Sequence, residues 1–168
     1  MDMLRVTRTY LQLTSPQSLR GAPLPPGARI EHAHPCPIPF FRYLYTEVGR
    51  ECRWRDRLIW TDDQCAAHLA NPDVSIWVLY GDGAPGGYFE LNKQTDGSVE
   101  IAYFGLMRDY IGRGFGKAML SEAANRAWSL GASRVWLHTC TLDDAAALPN
   151  YLARGFEKFR ELEYEVAG

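Results

Sequence analysis

Three glycines and two cations lie close together in the second half of this 168-residue chain. Residues 112–117 read Gly-Arg-Gly-Phe-Gly-Lys. Glycine lets the backbone approach a phosphate without side-chain collision, and the two cations attract the same group. If a helix begins at this point, its free N–H groups and its dipole add to the attraction. The run therefore predicts a binding site for a phosphate-bearing ligand.

A strand and a helix must position this glycine-rich turn. Residues 98–107 form a β-branched and aromatic run, which is typical of a mostly buried strand. After the turn, apolar residues recur at spacings of three and four, so that a helix would have one apolar face. These residues are Leu120, Ala123, Ala124, Ala127 and Trp128. Gly131 then predicts the end of the helix.

Two common phosphate loops do not fit the spacing of the turn. A Walker A loop requires a glycine, four residues and then Gly-Lys-Ser/Thr, but Ile111 occupies the first position and Ala118 the last. A dinucleotide-binding loop requires a third glycine where Lys117 lies, and an acidic residue about 20 residues further on. A nucleotide-dependent oxidoreductase is therefore a disfavoured alternative.

The turn resembles the Gln/Arg-x-x-Gly-x-Gly/Ala pyrophosphate loop of the GNAT superfamily of acyl-CoA-dependent N-acyltransferases, with Ile111 at the Gln/Arg position. A second motif supports the resemblance, because residues 144–156 are similar to the superfamily's Asn-x-x-Ala-x-x-x-Tyr-x-x-x-Gly-Phe element. The matching residues are Asp144, Ala147, Tyr151, Gly155 and Phe156, with aspartate in place of the usual asparagine. The two motifs have the order and the separation that the family shows.

The resemblance implies an N-acetyltransferase that moves an acetyl group from acetyl-CoA to a primary amine by direct attack in a ternary complex. It also implies a GNAT-like α/β fold, with a mixed, mostly antiparallel central sheet, helices on both faces and a splayed central strand pair. In the family the central strand bulges at the position of Leu106 and frees backbone groups for the pantetheine arm. The implied acyl-CoA-binding residues are Leu106, Ile111, Gly112, Arg113, Gly114, Phe115, Gly116 and Lys117.

Acyl transfer to an amine requires a base, because only about one alkylamine molecule in 2,500 is unprotonated at pH 7. Glu100, at the start of the central strand, is the candidate base, because several family members carry a catalytic carboxylate there. Glu90 on the neighbouring strand is the reserve candidate. The alternative is that Glu100 is an ordinary solvent-facing residue at a strand end.

An acid should protonate the departing thiolate, and Tyr151 is the candidate because it falls on the family's tyrosine position. A phenol with a pKa near 10 can donate a proton to a thiolate within hydrogen-bond reach. The alternative is that the ring of Tyr151 only packs on the sheet. His138 and Cys140 alternate on one predicted strand, as a cysteine nucleophile and its base would require, but buried packing is favoured.

Composition limits the class of protein. The hydrophobic fraction is 46% and the charged fraction 23%, as in ordinary globular proteins, and the net charge of −2 lacks the basic excess of a nucleic-acid-binding protein. No apolar run approaches about 18 residues and no signal-peptide pattern is present, so we expect a single cytoplasmic domain over residues 1–168 without membrane contact. The four cysteines lack metal-site spacing, so we expect no metal.

The partner that the resemblance implies is a small-molecule or peptide amine acceptor, which the sequence does not identify. Homodimers are also common in the family. A second interpretation is a non-catalytic acyl-CoA-binding sensor or regulatory module of the same fold, and the departures at Ile111 and Asp144 leave it open.

Other patterns predict the elements around the motifs. Six prolines predict an irregular segment over residues 21–39. Gly49 predicts the end of a first helix, and Pro149 predicts a kink in a last one. The remaining predicted strands span residues 4–13, 74–80, 88–91, 134–139 and 156–166, and the remaining predicted helices span residues 40–48, 61–71 and 143–152.

Overall fold

The computed structural model describes residues 2–168, which form a seven-stranded sheet with four α-helices. The strands are β1 (Met3–Leu13), β2 (Ala28–His32), β3 (Val74–Gly81), β4 (Ala84–Lys93), β5 (Val99–Leu106), β6 (Val135–Cys140) and β7 (Glu157–Ala167). The helices are α1 (Ile38–Cys52), α2 (Asp62–Ala70), α3 (Phe115–Ser129) and α4 (Ala147–Ala153). Short 3-10 turns cover Pro16–Ser18 and Arg108–Tyr110.

The sheet has the order β2-β3-β4-β5-β6-β1-β7, and its one parallel pair lies at the centre. All other neighbours are antiparallel. The parallel strands β5 and β6 pair only at Val99 with Val135 and at Glu100 with Trp136. Beyond Glu100 they separate, so the predicted mixed sheet with a splayed central pair is confirmed.

Two apolar cores lie on opposite faces of the sheet. The larger one places Met119, Leu120 and Ala123 of α3 against Leu91 and other strand residues, and includes Tyr151 of α4. The smaller one packs α1 and α2 on β3 and β4; its buried members are Phe41, Leu44, Val48, Cys65, Ile76, Val78 and Tyr88. Helices on both faces, as predicted, therefore bury both sides of the central strands.

The proline-rich segment contains a strand that the sequence did not indicate. The prediction of an irregular segment over residues 21–39 is wrong for Ala28–His32, which pairs with β3 as the edge strand β2. No proline lies between Pro26 and Pro35, so this short interval keeps its backbone donors.

Both predictions about helix breaks in α1 and α4 are corrected. Gly49 does not end α1, which continues to Cys52; instead, a Cβ at Gly49 would lie 3.2 Å from Trp54 Cβ, so glycine makes room for this indole. Pro149 does not kink a helix, because α4 begins at Ala147 and the proline sits in its first turn, where no N–H is needed. The predicted stop at Gly131 is confirmed by its φ of +87° after α3.

Candidate active site

A cleft of about 860 Å³ opens where β5 and β6 separate. Its walls come from the start of α3, from α4 and from the segment that links α1 to α2. Among the residues that line it are Glu100, Leu106, Ile111, Gly112, Gly114, Gly116, Lys117, His138, Cys140 and Tyr151. The fold therefore brings most of the candidate residues to one cavity.

The start of α3 forms one end of the cleft. This helix begins at Phe115, with Gly114 as its N-cap at a φ of +84°, and Gly112 also has a positive φ of +78°. Only glycine adopts such angles readily, so the two residues give the turn its shape. No side chain caps the helix, so its first N–H groups are free to bind an anion.

Two of the candidate loop residues do not line the cleft with their side chains. Arg113 turns back, and its Nη1 donates to the carbonyl oxygen of Asp109 at 3.1 Å. Phe115 packs into the core beside Tyr110, with ring centroids 5.2 Å apart. Lys117 is thus the cation of the loop that borders the cleft.

The bulge in β5 lies away from the expected position. Leu106 is in regular register with Gly87 of β4, and the register shift comes at Ala102, between the pairs Leu91–Ile101 and Glu90–Tyr103. The expectation of a bulge at Leu106 is therefore wrong. The loss of pairing with β6 begins after Glu100, which leaves the β6 side of β5 unpaired through Leu106.

Gly105 has a packing role rather than a role in a bulge. A Cβ at this position would lie 2.4 Å from Val48 Cγ1 of α1. The glycine therefore lets α1 approach the splayed strand closely.

Glu100 sits at the point where the two strands part, with a side chain that is 17% exposed. Gln94 Nε2 donates to its Oε2 at 3.4 Å, and His138 Nε2 lies 3.9 Å from its Oε1. Burial and the nearby charge of Glu90 raise the pKa of Glu100, so its carboxylate holds a proton more firmly than usual. Burial and the charge of Arg8 lower the pKa of His138, which favours the neutral imidazole.

Glu90 is poorly suited to the role of base. Its side chain is completely buried, and its two oxygens accept hydrogen bonds of 2.6 and 2.8 Å from the Arg57 guanidinium. His68 Nε2 also lies 3.1 Å from Glu90 Oε2, but not in line for a good hydrogen bond. Burial alone would raise the pKa of Glu90, but Arg57 and His68 together outweigh it and lower the pKa.

Tyr151 lies on α4 with its ring packed between Phe104 and Phe156, at centroid distances of 6.1 and 6.2 Å. Tyr151 lines the cleft, and within residues 2–168 no group forms a hydrogen bond with its hydroxyl. Burial raises the pKa of this phenol, so it stays protonated at neutral pH.

The aspartate at the head of the second motif shapes the turn before α4. Asp144 Oδ1 accepts a hydrogen bond from the Ala146 backbone N–H at 2.7 Å. An asparagine side-chain oxygen can accept the same bond, so the substitution keeps this local structure. The motif glycine also has a steric reason: a Cβ on Gly155 would lie 2.1 Å from the carbonyl oxygen of Ser18.

His138 and Cys140 both border the cleft, as their alternation on one strand predicts. Burial raises the pKa of Cys140, which favours the thiol over the nucleophilic thiolate. Sequence reasoning missed Arg8 and the link between Tyr103 and Asp56, whose atoms Oη and Oδ2 are 2.6 Å apart. No sequence signal pointed to them, because the residues come together only through sheet pairing and a loop contact.

Residues 39–156 match the Acetyltransferase (GNAT) family. A GCN5-related N-acetyltransferase from Kribbella flavida has a similar structure, with a TM-score of 0.71 and 20% identity over 99% of this chain and 60% of that chain. A GCN5-related N-acetyltransferase from Sphaerobacter thermophilus is also similar, with a TM-score of 0.70 and 17% identity over 95% of this chain and 50% of that chain. The IAA acetyltransferase from Bacillus cereus ATCC 14579 has a TM-score of 0.61 and 21% identity over 79% of each chain.

The chain thus spans about 60% of the length of the Kribbella protein and 50% of the Sphaerobacter protein. No curated protein sequence matches it. None of the helices within residues 2–168 is both long and apolar enough to cross a membrane. That part of the chain also holds no group of three or more His, Cys, Asp or Glu side chains that could bind a metal ion.

Proposed function

Because the chain belongs to the Acetyltransferase (GNAT) family, we propose that it transfers an acetyl group from acetyl-CoA to a primary amine by direct attack in a ternary complex. The observation that carries this proposal is the continuity of the cleft. One cavity reaches from the free amides at the start of α3 to the carboxylate of Glu100 and the ring of Tyr151. A ligand with a phosphate end and a reactive end can therefore occupy both regions at once.

The residues present fit coenzyme A. A Cβ at Gly116 would meet nothing closer than 3.7 Å, so the first turn of α3 is open to a diphosphate, and Lys117 adds a cation beside it. The unpaired edge of β5 from Ile101 to Leu106 offers backbone donors and acceptors to the amides of a pantetheine arm. Acetyl-CoA supplies the activated acyl group, and the protein supplies its position.

Glu100 takes the proton of the acceptor amine. A carboxylate with a raised pKa is a stronger base than an ordinary one. His138 Nε2 is 3.9 Å from Glu100 Oε1, too far for a direct hydrogen bond, and burial and the charge of Arg8 lower the pKa of His138, so Glu100 rather than His138 accepts the proton.

Tyr151 donates a hydrogen bond and then a proton to the departing thiolate. Its raised pKa keeps the proton on the phenol until sulfur charge develops, so transfer must be coupled to thiolate departure. The amine attacks the acetyl group directly, because Cys140 is held as a thiol and is a poor nucleophile in this form.

Calorimetry and a thiol-release assay test the proposal. We expect coenzyme A and acetyl-CoA to bind in calorimetry while NAD does not. We expect thiol release from acetyl-CoA to increase with some members of a library of primary amines. Binding without thiol release for any amine would indicate the non-catalytic acyl-CoA-binding module instead. Absence of coenzyme A binding would overturn both functions.

A further inference from the structure

Arg8 also lines the cleft, from the strand β1 that pairs with β6. It lies on β1, between β6 and β7, on the sheet face where Trp136 and His138 of β6 are partly exposed. Its guanidinium lies 5.1 Å from the centre of the Tyr164 ring, and its Nη2 donates to the Tyr164 hydroxyl at 3.5 Å. The arginine is therefore held beside the cavity by an aromatic ring rather than by an acid.

No carboxylate in the described chain lies within 4.0 Å of Arg8, and its buried Nε has no hydrogen-bond partner there. The other arginine deep in the cleft, Arg57, is fully engaged with Glu90. Asp143, beyond the end of β6, accepts hydrogen bonds from the Thr139 hydroxyl and the Cys140 N–H. A donor that is buried without a partner costs free energy, so the unpaired donor of Arg8 is available to bind an anion.

The strand register relates Arg8 to the proposed base. Arg8 pairs with Cys140 of β6, four residues beyond Trp136, and Trp136 pairs with Glu100. With about 3.3 Å per residue and about 4.8 Å between strands, the Cα atoms of Arg8 and Glu100 are about 16 Å apart. A ligand that touches both must carry its two polar ends several bonds apart.

We propose that Arg8 binds a carboxylate of the acceptor, and that the acceptor is an ω-amino acid or a short peptide whose amine reaches Glu100. The inference rests on the proposed acetyl transfer and names the acceptor class of the same site. A carboxylate fits because the planar guanidinium can donate two parallel hydrogen bonds to it.

Matched acid and amide acceptors test this inference. The pairs are 6-aminohexanoate with 6-aminohexanamide, and glycylglycine with glycylglycinamide. We expect the wild-type protein to use each acid with a kcat/KM at least about tenfold above that of its amide, mainly through KM. Arg8→Met should lower the kcat/KM of the acid to the level of its amide, with a much larger loss for the acid than for the amide, and Arg8→Lys should restore part of the preference.

Arg160→Met is the matched control, because Arg160 stacks on Tyr10 at 5.5 Å but does not line the cleft. Equal use of acid and amide by the wild-type protein would overturn the inference, as would an equal loss for both in Arg8→Met. Tryptophan fluorescence during titration with 6-aminohexanoate, in the presence of coenzyme A, detects the carboxylate contact without turnover. Thiol release that fails for all amines, with Arg8-dependent binding retained, would therefore refute the acetyl transfer and not the carboxylate site.

Discussion

Replacing Glu90 by glutamine should destabilise the protein rather than remove a catalytic group. Glu90 is completely buried and Arg57 is 8% exposed, so solvent screens the pair very little. In Glu90→Gln the Arg57 guanidinium loses its counter-charge but stays buried. Removing one partner of a buried ion pair costs about 3–5 kcal/mol of unfolding free energy, which is about 6–20 °C in melting temperature for a chain of this size.

A double-mutant cycle in urea separates this charge effect from loss of packing. Arg57→Met should be similarly destabilised, because it leaves Glu90 as an unpaired buried anion. The double variant Arg57→Met/Glu90→Gln should lose much less unfolding free energy than the sum of the losses in the two single variants, because neither charge remains. Glu31→Gln is the control: Glu31 pairs with Arg29, both are more than half exposed, and the pair should contribute at most about 1 kcal/mol.

The opposite pattern would refute the reasoning about Glu90. If Glu90→Gln lost less than about 1 kcal/mol of stability and acetyl transfer fell by about a hundredfold or more, Glu90 would be the base and its pairing with Arg57 would not be structural.

Three further predictions concern the cleft. Glu100→Gln should lower kcat by about 10²–10⁴-fold and remove the acidic limb of the pH–rate profile, with coenzyme A affinity unchanged in calorimetry. Because the pKa of Glu100 is raised in the folded protein, its ionisation opposes folding, so the variant should be more stable than wild type at neutral pH and equal to it at low pH in urea titrations. Tyr151→Phe should lower kcat in the thiol-release assay and keep the wild-type melting temperature, because the unbonded hydroxyl adds little to packing; full activity would leave Tyr151 a packing role only. Gly116→Ala should gain about 0.5–1 kcal/mol of unfolding free energy and still bind coenzyme A, since its Cβ meets only ordinary contacts. Gly114→Ala should lose about 1–2 kcal/mol of unfolding free energy because Gly114 has a positive φ. Equal melting temperatures for the two variants would contradict both expectations.

The sequence predicted the central strand, the glycine turn and α3 well because their signals are local. Positive backbone angles at Gly112 and Gly114 and the apolar spacing of α3 depend on neighbouring residues only. The second motif likewise located Tyr151 in the cleft.

Features that depend on distant contacts were not predictable in this way. Glu90 and Arg57 are 33 residues apart in sequence, and nothing in either neighbourhood indicates that they form a buried pair. The glycines at positions 49 and 105 look like a helix stop and a bulge, but each makes room for a side chain from another segment. The bulge at Ala102 also depends on the register between two strands, which periodicity alone does not determine.

The two glutamates on adjacent strands illustrate how the fold assigns different roles to the same side chain. Glu90 and Glu100 both border one cleft, and the charge of Glu90 acts on Glu100. Arg57 satisfies Glu90 and lowers its pKa, so this charge is permanent at neutral pH. Glu100 has no such partner, and burial together with the fixed charge of Glu90 raises its pKa.

Two acids whose environments push their pKa values apart are a recurring arrangement in acid–base catalysis. Here the buried ion pair does more than fix the wall of the cleft. Burial contributes most to the raised pKa of Glu100; the charge of Arg57 lowers this pKa, and the repulsion from ionised Glu90 raises it further. A neutral Glu90 would remove this repulsion, so the pair links the stability of the fold to the proton affinity of the proposed base.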